Sequence, residues 1–275
     1  MPRPTKAVLA APRTFERLRG AHPDAHCELE HQNPFQLIVA TVLSAQATDV
    51  IVNKVTPELF AQYPDPRSLA AADPQRVEKI IGRLGMFRQK TKNIVGLAKK
   101  LVADHGGEVP RSLAELVLLP GVGRKTANVV LGVAFRTPEG VVVDTHVQRI
   151  TQRLGFTRQT MPEAIEQDLM KVFPRRDWDI LSHVLIFHGR RICFARKPSC
   201  ATCPVRDACP SAFKAELVGR KAVRVRIDAD HSGRGALTTA KRGRAPIDAG
   251  KTRRGEASNP APARPPKALR RAVGR

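Results

Sequence analysis

Four cysteines fall within one 17-residue run: Cys193, Cys200, Cys203 and Cys209, spaced C-x6-C-x2-C-x5-C. Four thiolates so close in sequence can hold a metal ion or an iron–sulfur cluster. Structural zinc sites more often show two close cysteine pairs, and this run has a single C-x2-C, so chemistry alone leaves zinc and iron–sulfur both open. A second chemical candidate is Lys125, directly after Gly121-Val122-Gly123-Arg124. An ordinary lysine, with a pKa of about 10.4, is a cation at neutral pH and no nucleophile. A helix N-terminus and partial desolvation both push that value down. The third is Asp144, which follows the apolar triplet Val141-Val142-Val143 and precedes Thr145-His146. Its place at the expected start of a helix suits an N-cap as well as a catalytic carboxylate.

Helices must position these groups. Leu113, Leu116, Val117 and Leu119 read as one face of a short helix. Thr126, Val129, Val130 and Val133 recur at i, i+3, i+4 and i+7, the stripe of a second. Pro120 closes the first, and Gly121 and Gly123 permit a tight reversal with positive φ. The expected product is a helix, a hairpin and a helix, with bare backbone N–H groups at the second start, a site for phosphate. Asn33-Pro34 is a helix start, N-cap then first-turn proline, leading into Phe35, Ile38, Val39, Val42 and Ala45. Further helical patterns cover 51–60, 77–81, 91–105, 161–172 and 178–188, with breaks at Asp73-Pro74 and 104–110. Only residues 141–143 look strand-like, too few for a sheet, so the fold class is all-α.

The chain of 275 residues carries a formal net charge of +22, from 47 Lys and Arg against 25 Asp and Glu. Such a chain is expected to meet a polyanion through long-range attraction and counterion release. Nucleic acid is favoured over a membrane: the apolar run at 7–11 is too short for a signal-peptide core, and no stretch approaches the ~20 apolar residues of a span. A reducing intracellular compartment is expected, where cysteines serve as metal ligands more often than in disulfides. Cys27 stands apart and reads as a small core residue. Residues 211–275 hold 17 Lys and Arg against 5 Asp and Glu and lose apolar periodicity after about Ile227, so a disordered basic tail is expected there. Aromatic residues are only 4%, which argues against a single-strand-binding stacking platform.

The string Leu119-Pro120-Gly121-Val122-Gly123-Arg124-Lys125-Thr126-Ala127 resembles the hairpin of the endonuclease III family of helix-hairpin-helix DNA glycosylases. Ser44-Ala45-Gln46-Ala47-Thr48-Asp49, Val143-Asp144-Thr145-His146 and the four cysteines match the same family, in order, over residues 14–210. The resemblance implies two helical domains with a DNA cleft between them. One is a six-helix barrel, residues 28–137, bearing the hairpin. The other combines 14–27 with 138–210 and carries a [4Fe-4S] cluster on Cys193, Cys200, Cys203 and Cys209, zinc being the alternative. Residues 1–13 are expected to be a flexible N-terminus and 211–275 the basic tail.

The resemblance also implies roles. Lys125 is the nucleophile and Asp144 faces it. Gln46 fills the space left by a flipped base, and Leu84 or Met86 wedges between bases. Gly121, Val122, Gly123 and Arg124 hold backbone phosphate at the hairpin. Arg191, Arg196 and Lys197, with Arg190 and Arg206, add basic contacts near the cysteines. His146 and Trp178 are expected to be structural. The implied function is a bifunctional glycosylase/AP lyase that removes oxidised pyrimidines from duplex DNA by a lysine Schiff base and β-elimination. Its expected partner is double-stranded DNA with damaged bases or abasic sites, met as a monomer, away from membranes, in the cytoplasm on the nucleoid. An adenine glycosylase is the enzymatic alternative, disfavoured by Lys125, since those relatives usually lack a nucleophile there. The other alternative is a non-catalytic DNA-binding or scaffold protein.

Overall fold

The computed structural model describes residues 4–218, and twelve α-helices follow one another there with no strand among them. They are α1 (Lys6–Leu9), α2 (Ala11–Ala21), α3 (Pro34–Leu43), α4 (Asp49–Gln62), α5 (Pro66–Ala70) and α6 (Pro74–Ile81). Then come α7 (Phe87–His105), α8 (Leu113–Leu116), α9 (Arg124–Val133), α10 (Thr145–Arg153), α11 (Pro162–Val172) and α12 (Trp178–Arg191). Side-chain caps set many of the starts. Asn33 accepts from the Gln36 N–H at 2.9 Å, with Pro34 in the first turn, as the sequence predicts. Asp73-Pro74 is the same device: Asp73 caps α6, so the break is a helix start. Asp65 and Ser68 form a reciprocal capping box on α5. Residues 141–143 are extended but pair with no neighbour as a strand.

Buried apolar side chains gather into two clusters. The first runs from Leu29 through α3, α4, α6 and α7 to Val130 and Leu131 of α9. α3 is its centre, buried around its whole circumference from Phe35 to Leu43. The second joins Ala11, Phe15 and Leu18 of α2 to α10, α11, α12 and Val205. Helix α9 packs on both α3 and α12. Its approach to α12 is close enough that a Cβ at Gly132 would lie 2.5 Å from Asp179 Oδ1. A side chain at Gly132 would have to displace the Asp179 carboxylate.

Of the expected N-terminus, the described residues 4–13 contain α1 and the start of α2, and Ala11 is fully buried because α2 seals the second cluster. At the other end the ordered chain continues past 210. Ala215 is buried, and the Val218 carbonyl accepts from Arg153 Nε at 3.0 Å. Residues 219–275, most of the basic tail, lie outside the described residues.

Candidate active site and cysteine cavity

The hairpin between α8 and α9 is closed by the Val122 N–H donating to the Leu119 carbonyl at 3.1 Å. Only one of its glycines needs its conformational freedom. Gly121 has φ +78, and a Cβ there would sit 2.9 Å from Asn93 Cβ on α7. Gly123 has an ordinary φ of −96, and an added Cβ would meet nothing within 4 Å. Gly123 is the N-cap of α9 and supplies no side chain to cap it, so the first N–H groups of the helix face open space. Lys125 is the second residue of α9 and is exposed.

Asp144 caps α10, its Oδ1 accepting from the His146 and Val147 N–H groups, both at 2.8 Å. The cap uses one oxygen and leaves Oδ2 outside it. The fold brings Asp144 and Lys125 to a single cavity of about 720 Å³, open to solvent. Thr41, Ser44 and Asp49 line it from the first cluster's helices, and Asp179, Ser182, His183 and Arg190 from α12. Burial holds the Asp49 carboxyl above its usual range, opposed by Lys125 and reinforced by Asp144. Arg190 joins Asp49 at 3.1 Å and also pairs with Glu28. His183 Nε2 lies 3.4 Å from Asp179 Oδ1. The site therefore sets one exposed amine among four carboxylates, those of Glu28, Asp49, Asp144 and Asp179, two of which pair with Arg190.

Sequence reasoning missed Asp179, Ser182 and His183, which share one face of a helix read only for its apolar stripe. Cys27, expected in the core, packs at the edge of the first cluster and also lines the catalytic cavity. His146 is half-buried, held neutral chiefly by burial, and its Nδ1 faces Arg149 Nη2 at 3.1 Å, a structural placement as expected. Trp178 packs against the second cluster and donates to the Phe173 carbonyl at 2.9 Å.

Two of the expected DNA contacts are buried, and two are paired within the protein. Leu84 is 2% exposed and belongs to the first core, so it has no surface to wedge with. Val122 is 5% exposed and its N–H is consumed in the hairpin. Arg124 is exposed and grips Glu166 of α11 bidentately, at 2.8 and 3.0 Å. Glu166 is buried, takes a further bond from Asn128 at 3.1 Å, and needs that cation. Arg191 is held by Asp24 at 2.8 and 2.6 Å and lies over the Phe187 ring. By contrast Arg196 and Lys197 are exposed. Gln46 and Met86 are exposed as well, each at a loop tip with left-handed φ of 55 and 58. A non-glycine residue there costs roughly 1–3 kcal/mol, so both tips carry strain that core packing does not explain.

The four cysteines line one cavity of about 370 Å³, together with Ile150, Leu154, His188 and Ile192. Arg153, 1% exposed, is the post of that loop. Its guanidinium donates to the carbonyls of Phe194, Ala195 and Val218 at 2.7, 3.0 and 3.0 Å, and reaches Cys193 Sγ at 3.3 Å. Arg149 ties the Cys193 carbonyl to Gly189 and to α10. Burial raises the thiols of Cys203 and of Cys209, the latter to about 11, so the protein alone keeps them protonated. Thiolates there need a metal's charge. Among the described residues no three His, Cys, Asp or Glu side chains converge as the ligands of a single ion do. The four sulfurs line this one space together.

A family model, the HhH-GPD superfamily base excision DNA repair protein, matches residues 39–175. The endonuclease III of Synechocystis sp. is 54% identical over 195 residues, 71% of this chain and 89% of that one. A solved non-covalent endonuclease III–DNA complex superposes with TM-score 0.71 at 44% identity, covering 75% of this chain and 97% of that chain. A trapped covalent endonuclease III–DNA intermediate, an estranged-adenine complex, gives TM-score 0.71 at 45% identity with 75% and 97% coverage. The chain belongs to the endonuclease III family of DNA glycosylase/AP lyases, within the HhH-GPD superfamily.

Proposed function

We propose that this base-excision-repair glycosylase/lyase removes oxidised pyrimidines from duplex DNA, with Lys125 as nucleophile and Asp144 as its partner. The observation that carries the reading is the cavity they share, at the uncapped start of α9. The damaged nucleotide leaves the stack, because its C1′ is out of reach within the duplex. The neutral Lys125 amine attacks C1′, the base departs with the electrons of the glycosidic bond, and loss of the amine proton and ring opening leave a Schiff base. Asp144 takes up the amine's proton and offsets positive charge developing on the sugar. The iminium acidifies C2′; loss of that proton expels the 3′ phosphate, and water then releases the enzyme. Gln46 and Met86 enter the vacated stack, a general use of wedging side chains. Phosphate sits at the α9 start, and Arg196 and Lys197 add charge along the backbone.

Cys193, Cys200, Cys203 and Cys209 would hold the [4Fe-4S] cluster; the family relationship supports this over zinc. When bound, it would brace the 193–209 loop against α10 and α12, and its chemistry is kept apart from the sugar. The protein acts as a monomer on damaged chromosomal DNA in the cytoplasm, away from membranes; no helix among the described residues is long and apolar enough to cross one.

Borohydride trapping on a duplex with one thymine glycol tests the reading, comparing wild type with Lys125→Ala. A covalent adduct in wild type alone is the expected result. An adduct only on an abasic-site control reduces the activity to a lyase, and silence on both duplexes leaves a non-catalytic DNA-binding protein.

A further inference from the structure

Two histidines lie outside the chemistry described so far. His22 follows the last turn of α2 and His188 sits in the last turn of α12; they are 3% and 1% exposed. His22 Nε2 and His188 Nδ1 are 3.1 Å apart across a separation of 166 residues. The rings meet edge-on, with centroids 5.3 Å apart at 64°. On its far side His188 Nε2 lies 3.7 Å from Cys203 Sγ. At the other end His22 Nδ1 is buried with no partner.

We propose that His22 and His188 form a directional relay that ends in an N–H donated to the Cys203 thiolate, making them positioning residues for the metal-bound site. The proposal rests on the reading of Cys203 as a metal ligand. Each neutral imidazole carries one N–H and one bare nitrogen. A metal-bound thiolate has no proton and can only accept. His188 therefore carries its proton on Nε2, and its bare Nδ1 accepts from His22 Nε2–H. His22 Nδ1 is then a bare lone pair.

The reverse order requires a proton on Cys203 Sγ and leaves an N–H at His22 Nδ1 with no acceptor. Buried N–H groups without acceptors are rarer than under-used acceptors, so the empty end of the relay favours the same direction. The relay fastens the C-terminal end of α2 to the metal loop by polar contacts. A hydrogen bond to a cluster sulfur stabilises its more electron-rich state, and such bonds tune reduction potentials.

The test uses the full chain with the metal it acquires in the cell. Nitrogen-15 spectra of the unmutated protein should show His188 with its proton on Nε2 and His22 with its Nδ1 unprotonated. At equal iron content, His188→Leu should move the reduction potential to more negative values. His22→Leu, which leaves the His188 proton free to choose either nitrogen, should move it less in the same direction. His188→Gln, which returns an amide N–H to the sulfur, should recover most of the shift. A His188 proton on Nδ1 in the unmutated protein overturns the relay, and so does one potential common to all variants. Should the chain bind colourless zinc, the cluster reading fails, and the relay is judged by the tautomers alone, expected to be the same for a zinc thiolate.

Discussion

At the start of α9 no side chain caps the helix, and Lys125 stands exposed beside an open cavity. Around the cysteines the opposite holds: one guanidinium, that of Arg153, is consumed by three carbonyls and a sulfur. The two regions spend their polar groups differently. A site that must receive a charged, flipped nucleotide keeps donors and carboxylates available and tolerates the cost. Around four sulfurs the carbonyls of the surrounding loop are satisfied, because an unpaired buried carbonyl costs about 1–3 kcal/mol. Substitutions in the first region should therefore cost activity with little stability, and in the second stability first.

Lys125→Ala should show the largest effect. Single-turnover strand cleavage should fall by about 10⁴-fold or more, the scale of losing a nucleophile, with the melting temperature unchanged. Asp144→Asn separates that residue's two roles. The amide oxygen keeps the α10 cap, so stability should stay within about 1 kcal/mol, while cleavage falls by about 10²–10⁴-fold. If cleavage survives in Asp144→Asn, the cap is the residue's whole purpose.

Arg153→Ala strands the carbonyls of Phe194, Ala195 and Val218 and should cost about 3–5 kcal/mol in denaturant titration, with loss of bound metal. Leu84→Ala and Met86→Ala test the wedge. The first should lose about 2–5 kcal/mol as a core truncation. The second should change stability by less than about 0.5 kcal/mol yet weaken cleavage of a damaged duplex.

The smallest effect is at the surface, where Arg17 holds Asp207 at 2.7 Å and lowers its carboxyl from 3.8 to about 2. A depressed carboxylate stabilises the fold above its unfolded pKa and loses that contribution as pH falls through the folded one. The stability difference between wild type and Asp207→Asn should therefore be constant above about pH 5, fall through the window between the two pKa values and vanish near pH 1. Differential melting across that window measures it.

The hairpin was legible because local rules specify it: Pro120 stops a helix, Gly121 takes the positive φ, and an apolar stripe restarts four residues on. Asn33-Pro34 was legible for the same reason. The ion pair of Arg124 and the burial of Leu84 were not legible, because a motif specifies residue types but not which neighbours compete for them. Arg124 meets Glu166 only after α11 has folded back onto α9. Leu84 is drawn into the first core while Met86, two residues on, is turned outward by its left-handed backbone.

Read alone, the sequence determined an all-helical chain, a basic surface, four sulfur ligands in one run and a lysine at a helix start, since each depends on spacing along the chain. Tertiary structure decided which lysine, carboxylate and histidine share a cavity, and which arginines remain free for phosphate. Those are contacts between residues tens to more than a hundred positions apart, set by how α9 and α12 approach. No local periodicity carries that distance.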